Sequence, residues 1–482
     1  MAKTSKILSF VFWPVFFLAL FSLSYFRVFD ELEYKTLDFR YQIRPKLKVN
    51  NKIAIIHISD DTIKGLGEWP IPRKYHALLI KALKAAGAKD IVFDVFFTET
   101  TNDDQELINA AKEAGNVYMA YVFELDVAKN SNKYISAKGE IAPLLEYFKT
   151  ACKDIGYVNV QPDIDGKVRS VLPFVEYKGK FYPHLGLKVA LDNYGVKFEN
   201  VKIIPGSKIV VDKKLTIPLG ERSEVLINYP SKWAESFRHY SCIDVIQSYL
   251  SGMIGKPPAI DLNELKDSVC FIGFTAAASP DAHPSPLEPL YPGVGVYAAM
   301  YNSTMNDLFL HRMNRIDNLI VLFIISIITL VVTVKSRRNF AFLSVIFFVA
   351  GYAVFGIGMF FFARTWVDMF YPIGAVVFLY MFFTFRKYLM EMRRRELLEK
   401  ELNIAKDIQM SFLPAELPAV AGIDAFGAMM TARQVGGDLY DVILHENGKL
   451  GVMIGDVMGK GFPASLFMAM AASSFKFFAL PE

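Results

Sequence analysis

Cysteine is close to absent from this chain: three residues in 482, Cys152, Cys242 and Cys270. So sparse and odd a set excludes a disulfide-stapled scaffold and allows one pair at most. Cys270 lies in an apolar run and reads as a buried thiol. The seven histidines are scattered, without His-Glu-x-x-His or similar ligand spacing, so no zinc-hydrolase signature exists. No Gly-x-Ser-x-Gly elbow marks a serine hydrolase. The stretch Gly65-Leu66-Gly67-Glu68-Trp69-Pro70 lacks the Gly-x-Gly-x-x-Gly dinucleotide pattern and reads as a turn. An excess of one charge is missing too: 53 Lys and Arg stand against 49 Asp and Glu, a net +4. That surplus sits beside apolar segments, and nothing in it requires a nucleic-acid partner.

What the chain has in excess is apolar residues, 53% of the total with 41 Phe, too many for an ordinary soluble enzyme. Four runs without Asp, Glu, Lys or Arg account for them: residues 7–26, 319–334, 340–363 and 369–385. A bilayer span takes about 20 residues, so one transmembrane helix followed by three more is expected. The first run lacks a small-x-small exit before Arg27, which favours an uncleaved anchor over a signal peptide. Basic residues then set the orientation: Lys3 and Lys6, Lys335, Arg337 and Arg338, and finally Arg386, Lys387 and Arg393 to Arg395. The positive-inside rule places all three groups in the cytoplasm and residues 30–312 outside. The expected domains are an anchor at 1–29, an external domain at 30–312 and three membrane helices at 313–385. A signal helix at 386–413 and a C-terminal domain at 414–482 follow.

The external segment alternates strand and helix. Residues 52–59 (KIAIIHIS), 90–97 (DIVFDVFF) and 116–122 (NVYMAYV) read as strands, and 73–86 and 103–114 as helices between them. Residues 224–229 and 268–273 read as later strands, and 293–307 as a helix leading to the second span. Such alternation predicts an α/β domain with a mainly parallel sheet. Asp60, Asp61, Asp94 and Arg73 could line a pocket at strand ends, where open α/β sheets bind ligands, but helix capping and structural ion pairing are the favoured reading. The pieces 58–73 (ISDDTIKGLGEWPIPR), 86–97 (AGAKDIVFDVFF), 163–169 (DIDGKVR), 270–277 with Asp281, and 292–299 (PGVGVYAA) together resemble the type 2 CHASE family of extracytoplasmic sensor domains. The resemblance implies a sensor between an N-terminal anchor and three further spans, with an unknown external ligand.

Near the C-terminus, two apolar runs flank His445-Glu446-Asn447-Gly448-Lys449. Asn-Gly between such runs is a strong hairpin signal. A two-residue turn at Asn447-Gly448 would set Glu446 opposite Lys449 and Asp438 opposite Val457. Asp438 and Asp456 then converge at the open end beside glycine-rich backbone, a hard-cation site suited to Mg²⁺ or Mn²⁺. The segments 405–414 (AKDIQMSFLP), 434–441 (QVGGDLYD) and 455–466 (GDVMGKGFPASL) together resemble the SpoIIE/RsbU-like branch of the PPM protein phosphatases. That resemblance implies the N-terminal part of an αββα sandwich. It also implies two Mn²⁺ or Mg²⁺ ions held by Asp438, Asp456 and the Val457 carbonyl, and hydrolysis of phosphoserine or phosphothreonine. Thr431 and Met458 depart from the family pattern, which has proline and serine there. The family's domain runs to about 200 residues, so the later metal ligands are expected beyond Glu482, and residues 386–482 alone are expected to be inactive.

Between membrane and hairpin, residues 386–413 hold no Gly or Pro and end at Pro414. Leu398, Leu402, Ala405, Gln409 and Phe412 follow four-three spacing over two heptads, compatible with pairing of two chains or packing on the chain's own C-terminal domain. The leading expectation is a multi-pass receptor of a bacterial inner membrane. Its sensor is extracytoplasmic and its phosphatase domain cytoplasmic, and a homodimer is expected. By resemblance its substrate is a phosphorylated anti-sigma-factor antagonist of the STAS type. The alternative is a non-catalytic membrane sensor or scaffold. A cyclase or histidine-kinase output is disfavoured, because no kinase nucleotide box follows the membrane.

Overall fold

The computed structural model describes residues 15–67, 70–126, 133–276, 281–336, 338–430, 435–459 and 461–479. Lys3, Lys6, residues 7–14 of the first run, Arg337, Glu68, Trp69, Ala277, Thr431, Arg433, Gln434 and Lys460 lie outside the described residues. The chain divides into two units, Met1–Val332 with Asn339–Val377, and Thr333–Arg338 with Phe378–Glu482.

In the first unit, α1 (Val15–Tyr25) is followed by α2 (Asp30–Ile43), β1 (Ile53–Ile58), α3 (Asp60–Leu66), α4 (Arg73–Ala85) and β2 (Asp90–Asp94). Then come α5 (Asp104–Ala114), β3 (Val117–Asp126), β4 (Ser136–Ala142), α6 (Glu146–Ala151), β5 (Asp154–Tyr157), β6 (Phe174–Tyr177) and β7 (Lys180–Pro183). The domain closes with α7 (Leu185–Tyr194), β8 (Arg238–Ser241), α8 (Cys242–Met253), β9 (Val269–Phe274) and α9 (Gly293–Asn306). The strands form one nine-stranded sheet in the order β8-β1-β9-β2-β3-β4-β6-β7, with β5 also pairing β3. Six of them, β8, β1, β9, β2, β3 and β5, run parallel, as the strand–helix alternation predicts.

A parallel sheet buried on both faces needs strands apolar throughout, and β1 is Ile-Ala-Ile-Ile-His-Ile. Ile53 and Ile55 enter the core that holds α2, α7 and α9, while Ala54, Ile56 and Ile58 enter the core beneath α4, α5 and α8. Helix α4 buries His76, Ala77, Leu79, Ile80 and Leu83 at three- and four-residue spacing. Its end is turned by Gly87 at φ +76°. Residues 224–229 are not the strand that their sequence suggests; only Val225–Leu226 pairs. The buried Asn228 and Tyr229 side chains instead bond the Leu308 carbonyl at 2.7 Å and the Val168 carbonyl at 3.0 Å. Side-chain bonds to backbone take the place of a ladder there.

All three cysteines are free thiols, and burial pushes each up to about 12, which leaves them unreactive. Helices α7 and α9 approach so closely that a Cβ at Gly186 would stand 2.6 Å from the Tyr297 carbonyl oxygen. Backbone cannot yield there as a flexible side chain would. Gly186→Ala is therefore expected to destabilise the domain by about 1–3 kcal/mol, read as a lowered denaturation midpoint. An unchanged midpoint would show that the two helices can separate freely.

His76 is buried against Phe93 and Phe97, and burial depresses it to about 4. The unfolded chain binds this proton from about pH 6.5 downward, and the folded chain only near 4. Stability is thus lost as pH falls through that window. Asp163, raised by burial to about 6, titrates with the opposite sign, so the difference between the chain and His76→Phe isolates the histidine. That difference is expected to grow by up to about 3 kcal/mol between pH 6.5 and 4. A difference independent of pH would refute a buried neutral His76.

Helices α10 (Arg315–Lys335), α11 (Arg338–Phe362), α12 (Phe370–Met410) and, in the second unit, α13 (Phe462–Ala479) are long and apolar enough to cross a membrane. Three of these contain the runs 319–334, 340–363 and 369–385, apart from Ala363 and Met369. The fourth was expected within the C-terminal domain. The fourth apolar run and the signal helix are one unbroken element, because Pro372 falls in the first turn, where its missing N–H costs nothing.

Candidate functional site

The residues proposed for a pocket at the sheet's strand ends each have partners of their own. Asp61, in the first turn of α3, accepts from Ser241 Oγ at 2.6 Å, from the Thr62 amide at 2.8 Å and from Ser59 Oγ. Asp60 shares that first turn, where acidic residues suit a helix N-terminus. Arg73 is buried, pairs with Asp104, donates to the Glu99 carbonyl, and stacks over Phe97 and Phe148. These contacts are structural. Asp94 is different: it is buried at the end of β2 and hydrogen-bonds the Asp281 carboxyl. Burial first, then the charge of Asp281, holds it well above the usual carboxylate range.

The second unit builds its site on a hairpin, β10 (Asp438–Leu444) and β11 (Leu450–Asp456). The register differs by one from a two-residue turn: Asp438 faces Asp456, and Leu444 faces Leu450. The Gly448 amide donates to the His445 carbonyl and the His445 amide to Lys449, with Gly448 at φ +79°. This is a turn with a glycine bulge, which absorbs one more residue than the Asn-Gly turn. The consequence is chemical. Because Val457 donates to Gly437 and His445 to Lys449, the odd-numbered residues of β10 occupy the bonded pairs. Asp438 and Asp456 therefore form a non-bonded pair, the kind that brings side chains closest. Both are exposed.

Opposed carboxylates repel by several tenths of a kcal/mol, and a cation offsets that repulsion. A Cβ at Gly437 would stand 2.5 Å from the Val457 carbonyl oxygen, so only glycine leaves this third oxygen bare. The three oxygens suit a hard divalent cation. Among the described residues no group of three or more His, Cys, Asp or Glu is arranged so that it could hold a metal ion. The pair opens on a cleft of about 430 Å³ beside Met429, Met430 and Tyr440. Tyr440 Oη donates to the Gly427 carbonyl at 3.1 Å and holds that wall.

The opposite face of the hairpin packs on α13 through Leu439, Met468 and Ala472. Asp441, also buried there, lies 3.6 Å from Lys476. Gly459 and Gly461 turn the chain from Val457 into α13 at φ +127° and +75°. Sequence reading missed one residue here. Gln409 of α12 is buried; its Nε2 donates to the Gly436 carbonyl at 2.8 Å, and its Oε1 accepts from the Gly436 amide at 3.1 Å. The end of α12 thus holds the backbone two residues before Asp438. The signal was a lone amide in the otherwise apolar seam.

Residues 14–333 match the CHASE2 domain family, and residues 446–482 match the Stage II sporulation protein E (SpoIIE) family. The second match includes Asp456 and Val457 and begins after Asp438. Protein IcfG of Synechocystis sp. (strain ATCC 27184 / PCC 6803 / Kazusa) is 37% identical over 78 residues, 16% of this chain and 12% of that protein. Phosphoserine phosphatase RsbU of Bacillus subtilis (strain 168) is 32% identical over 73 residues, 15% of this chain and 22% of that protein. The chain therefore spans less than a quarter of either relative. No solved structure matches.

Proposed function

The chain belongs to the CHASE2 domain family, and from that premise we propose a membrane receptor that couples an external signal to a metal-dependent phosphoprotein phosphatase. One observation carries the reading: two exposed aspartates stand directly opposite each other, beside a carbonyl kept bare by glycine, and the second of them lies in the segment that matches SpoIIE. In this reading residues 30–312 lie outside the cell and 386–482 inside, with α13 belonging to an αββα phosphatase domain rather than the bilayer. Its packing on the hairpin supports that placement.

Asp438, Asp456 and the Val457 carbonyl would hold Mn²⁺ or Mg²⁺. Two such ions supply a hydroxide nucleophile and neutralise phosphate charge when bound. The chain's own part is positional. The hairpin fixes the two carboxylates on one exposed face, Gly437 clears the carbonyl, and Gln409 holds the preceding turn through Gly436. The cleft beside Met429 and Met430 leaves room for a phosphorylated loop of a protein substrate. Following the RsbU-like resemblance, that substrate is a Ser/Thr-phosphorylated STAS-type anti-sigma-factor antagonist, and the receptor acts as a homodimer. A non-catalytic scaffold is the second reading, favoured by the finding that no third acidic or histidine ligand joins Asp438 and Asp456 among the described residues.

The test is phosphate release from such a substrate by the full-length protein with Mn²⁺. Turnover that chelator abolishes supports the enzyme. Tight binding of the phosphorylated substrate without release would establish the scaffold instead.

A further inference from the structure

Helix α12 does not cap its own N-terminus. The amides of Met369 and Phe370 donate to one oxygen of Glu33, at 2.8 and 2.7 Å, although Glu33 lies on α2. The other carboxylate oxygen accepts from Trp366 Nε1 at 3.0 Å, Arg40 at 2.8 Å and Thr36 Oγ1 at 2.8 Å. Five donors thus converge on one fully buried carboxylate. Arg40, equally buried, also donates to the Val367 carbonyl at 2.9 Å. Arg312, just before α10, pairs with Asp30 of α2 and Asp368 of the α11–α12 loop, and its guanidinium lies 4.1 Å over the Trp366 ring.

Hydrogen bonding makes this cluster dependent on α12. Asp30, Glu33 and Asp368 stand among Arg40, Arg312 and, at longer range, Arg27, but one oxygen of Glu33 takes both its hydrogen bonds from the start of α12. The first turn of α12 supplies a further partial positive charge and two unsatisfied amides. Withdrawing or turning that first turn would strip one oxygen of the buried Glu33 carboxylate of both these donors, which is costly. A helix keeps its turns in register through hydrogen bonds four residues apart. Displacement of its first turn is therefore carried along the helix, and Gln409 lies on this same helix.

We infer that Glu33 is the residue by which the sensor grips the output helix, a positioning residue for the Gln409–Gly436 contact beside Asp438. This deepens the receptor reading by naming how its site is regulated. It depends on that reading only for the consequence at Asp438.

The experiment is amide hydrogen exchange on the full-length protein in lipid nanodiscs, comparing Glu33→Gln with the unaltered chain. The substitution keeps the shape and removes the charge. Exchange at Met369 and Phe370 is expected to rise roughly ten-fold. Exchange at Gly436, whose amide is held by Gln409, is expected to rise with it, while the amides of β1 and of Asp441 and Met453, a hydrogen-bonded pair of the hairpin, stay protected. Faster exchange at Met369 and Phe370 with Gly436 unchanged would reduce Glu33 to a local cap and overturn the inference. No change at Met369 and Phe370 would overturn it outright. Should Glu33→Gln expose β1 as well, Glu33→Asp decides on the same criteria, since it retains the charge but shortens the reach to both amides. None of these readouts requires catalysis, so failure of the phosphatase reading and failure of the grip are separately visible.

Discussion

Asp438→Asn and Asp456→Asn are each expected to lower Mn²⁺-dependent phosphate release by roughly a hundred-fold or more, while leaving the fold intact. Loss of partners that merely orient metal ligands already costs 10–100-fold in other metal sites, and these two carboxylates are the ligands proposed here. The structural cost runs the other way. Both side chains are exposed, and as a directly opposed pair they repel when no cation is present. Replacing either with an amide is expected to stabilise the metal-free hairpin by up to about 1 kcal/mol. Activity and stability therefore separate: turnover and Mn²⁺ affinity fall as the metal-free denaturation midpoint holds or rises. Full turnover with Asn at either position would overturn the ligand assignment. A fallen midpoint in both variants would show that the aspartates hold the hairpin together and are not poised for a cation.

Arg169→Met is expected to destabilise the sensor domain by about 3 kcal/mol, because it leaves the buried Asp38 and the partly buried Asp163 without their guanidinium. Arg169 is buried and donates to Asp38 through Nε at 2.8 Å and an η nitrogen at 2.9 Å, to Asp163 at 2.9 Å, and to Asp165 at 2.8 and 2.6 Å. Its guanidinium also lies 4.6 Å from the centre of the Tyr34 ring. Lys167, at 2.7 Å from Asp38, is the remaining cation. Burial already raises Asp163 to about 6 even with Arg169 beside it. Without Arg169 it should accept its proton at still higher pH, so the variant's deficit should shrink on acidification below 6. Arg169→Lys keeps the charge but not the planar fork, and an intermediate loss is expected. Chemical denaturation of the full chain in detergent, followed near pH 7 and near pH 5.5, reads both effects. A loss below about 1 kcal/mol would mean that water replaces the guanidinium among the carboxylates. Because Asp38 lies on α2 with Glu33, the same measurement reports how firmly the gripping helix is anchored.

How far the sequence could be read depended on how local each signal was. The hairpin was legible because apolar strands flanking Asn-Gly need few distant contacts. Its register was not, since both a two-residue turn and a three-residue bulged loop suit His445 to Lys449, and the alternatives differ only in ladder bonds. Residues 224–229 look like a strand in isolation, yet Asn228 and Tyr229 find better partners on distant backbone. The break drawn between membrane run and signal helix marked a change of composition, to which the α12 hydrogen-bond ladder is indifferent.

The amino-acid sequence by itself determined the α/β alternation, the apolar runs, the meeting of Asp438 with Asp456 and both family resemblances. Each rests on periodicity, composition or short motifs, which the chain carries wherever it folds. Tertiary structure alone decided the register that sets Asp438 opposite Asp456 and not Val457, that Gln409 holds Gly436, and that Glu33 caps a helix more than three hundred residues away in sequence. The reason is physical: buried polar groups must find partners, and only the packed chain shows which donors come within reach of Glu33 once water is excluded.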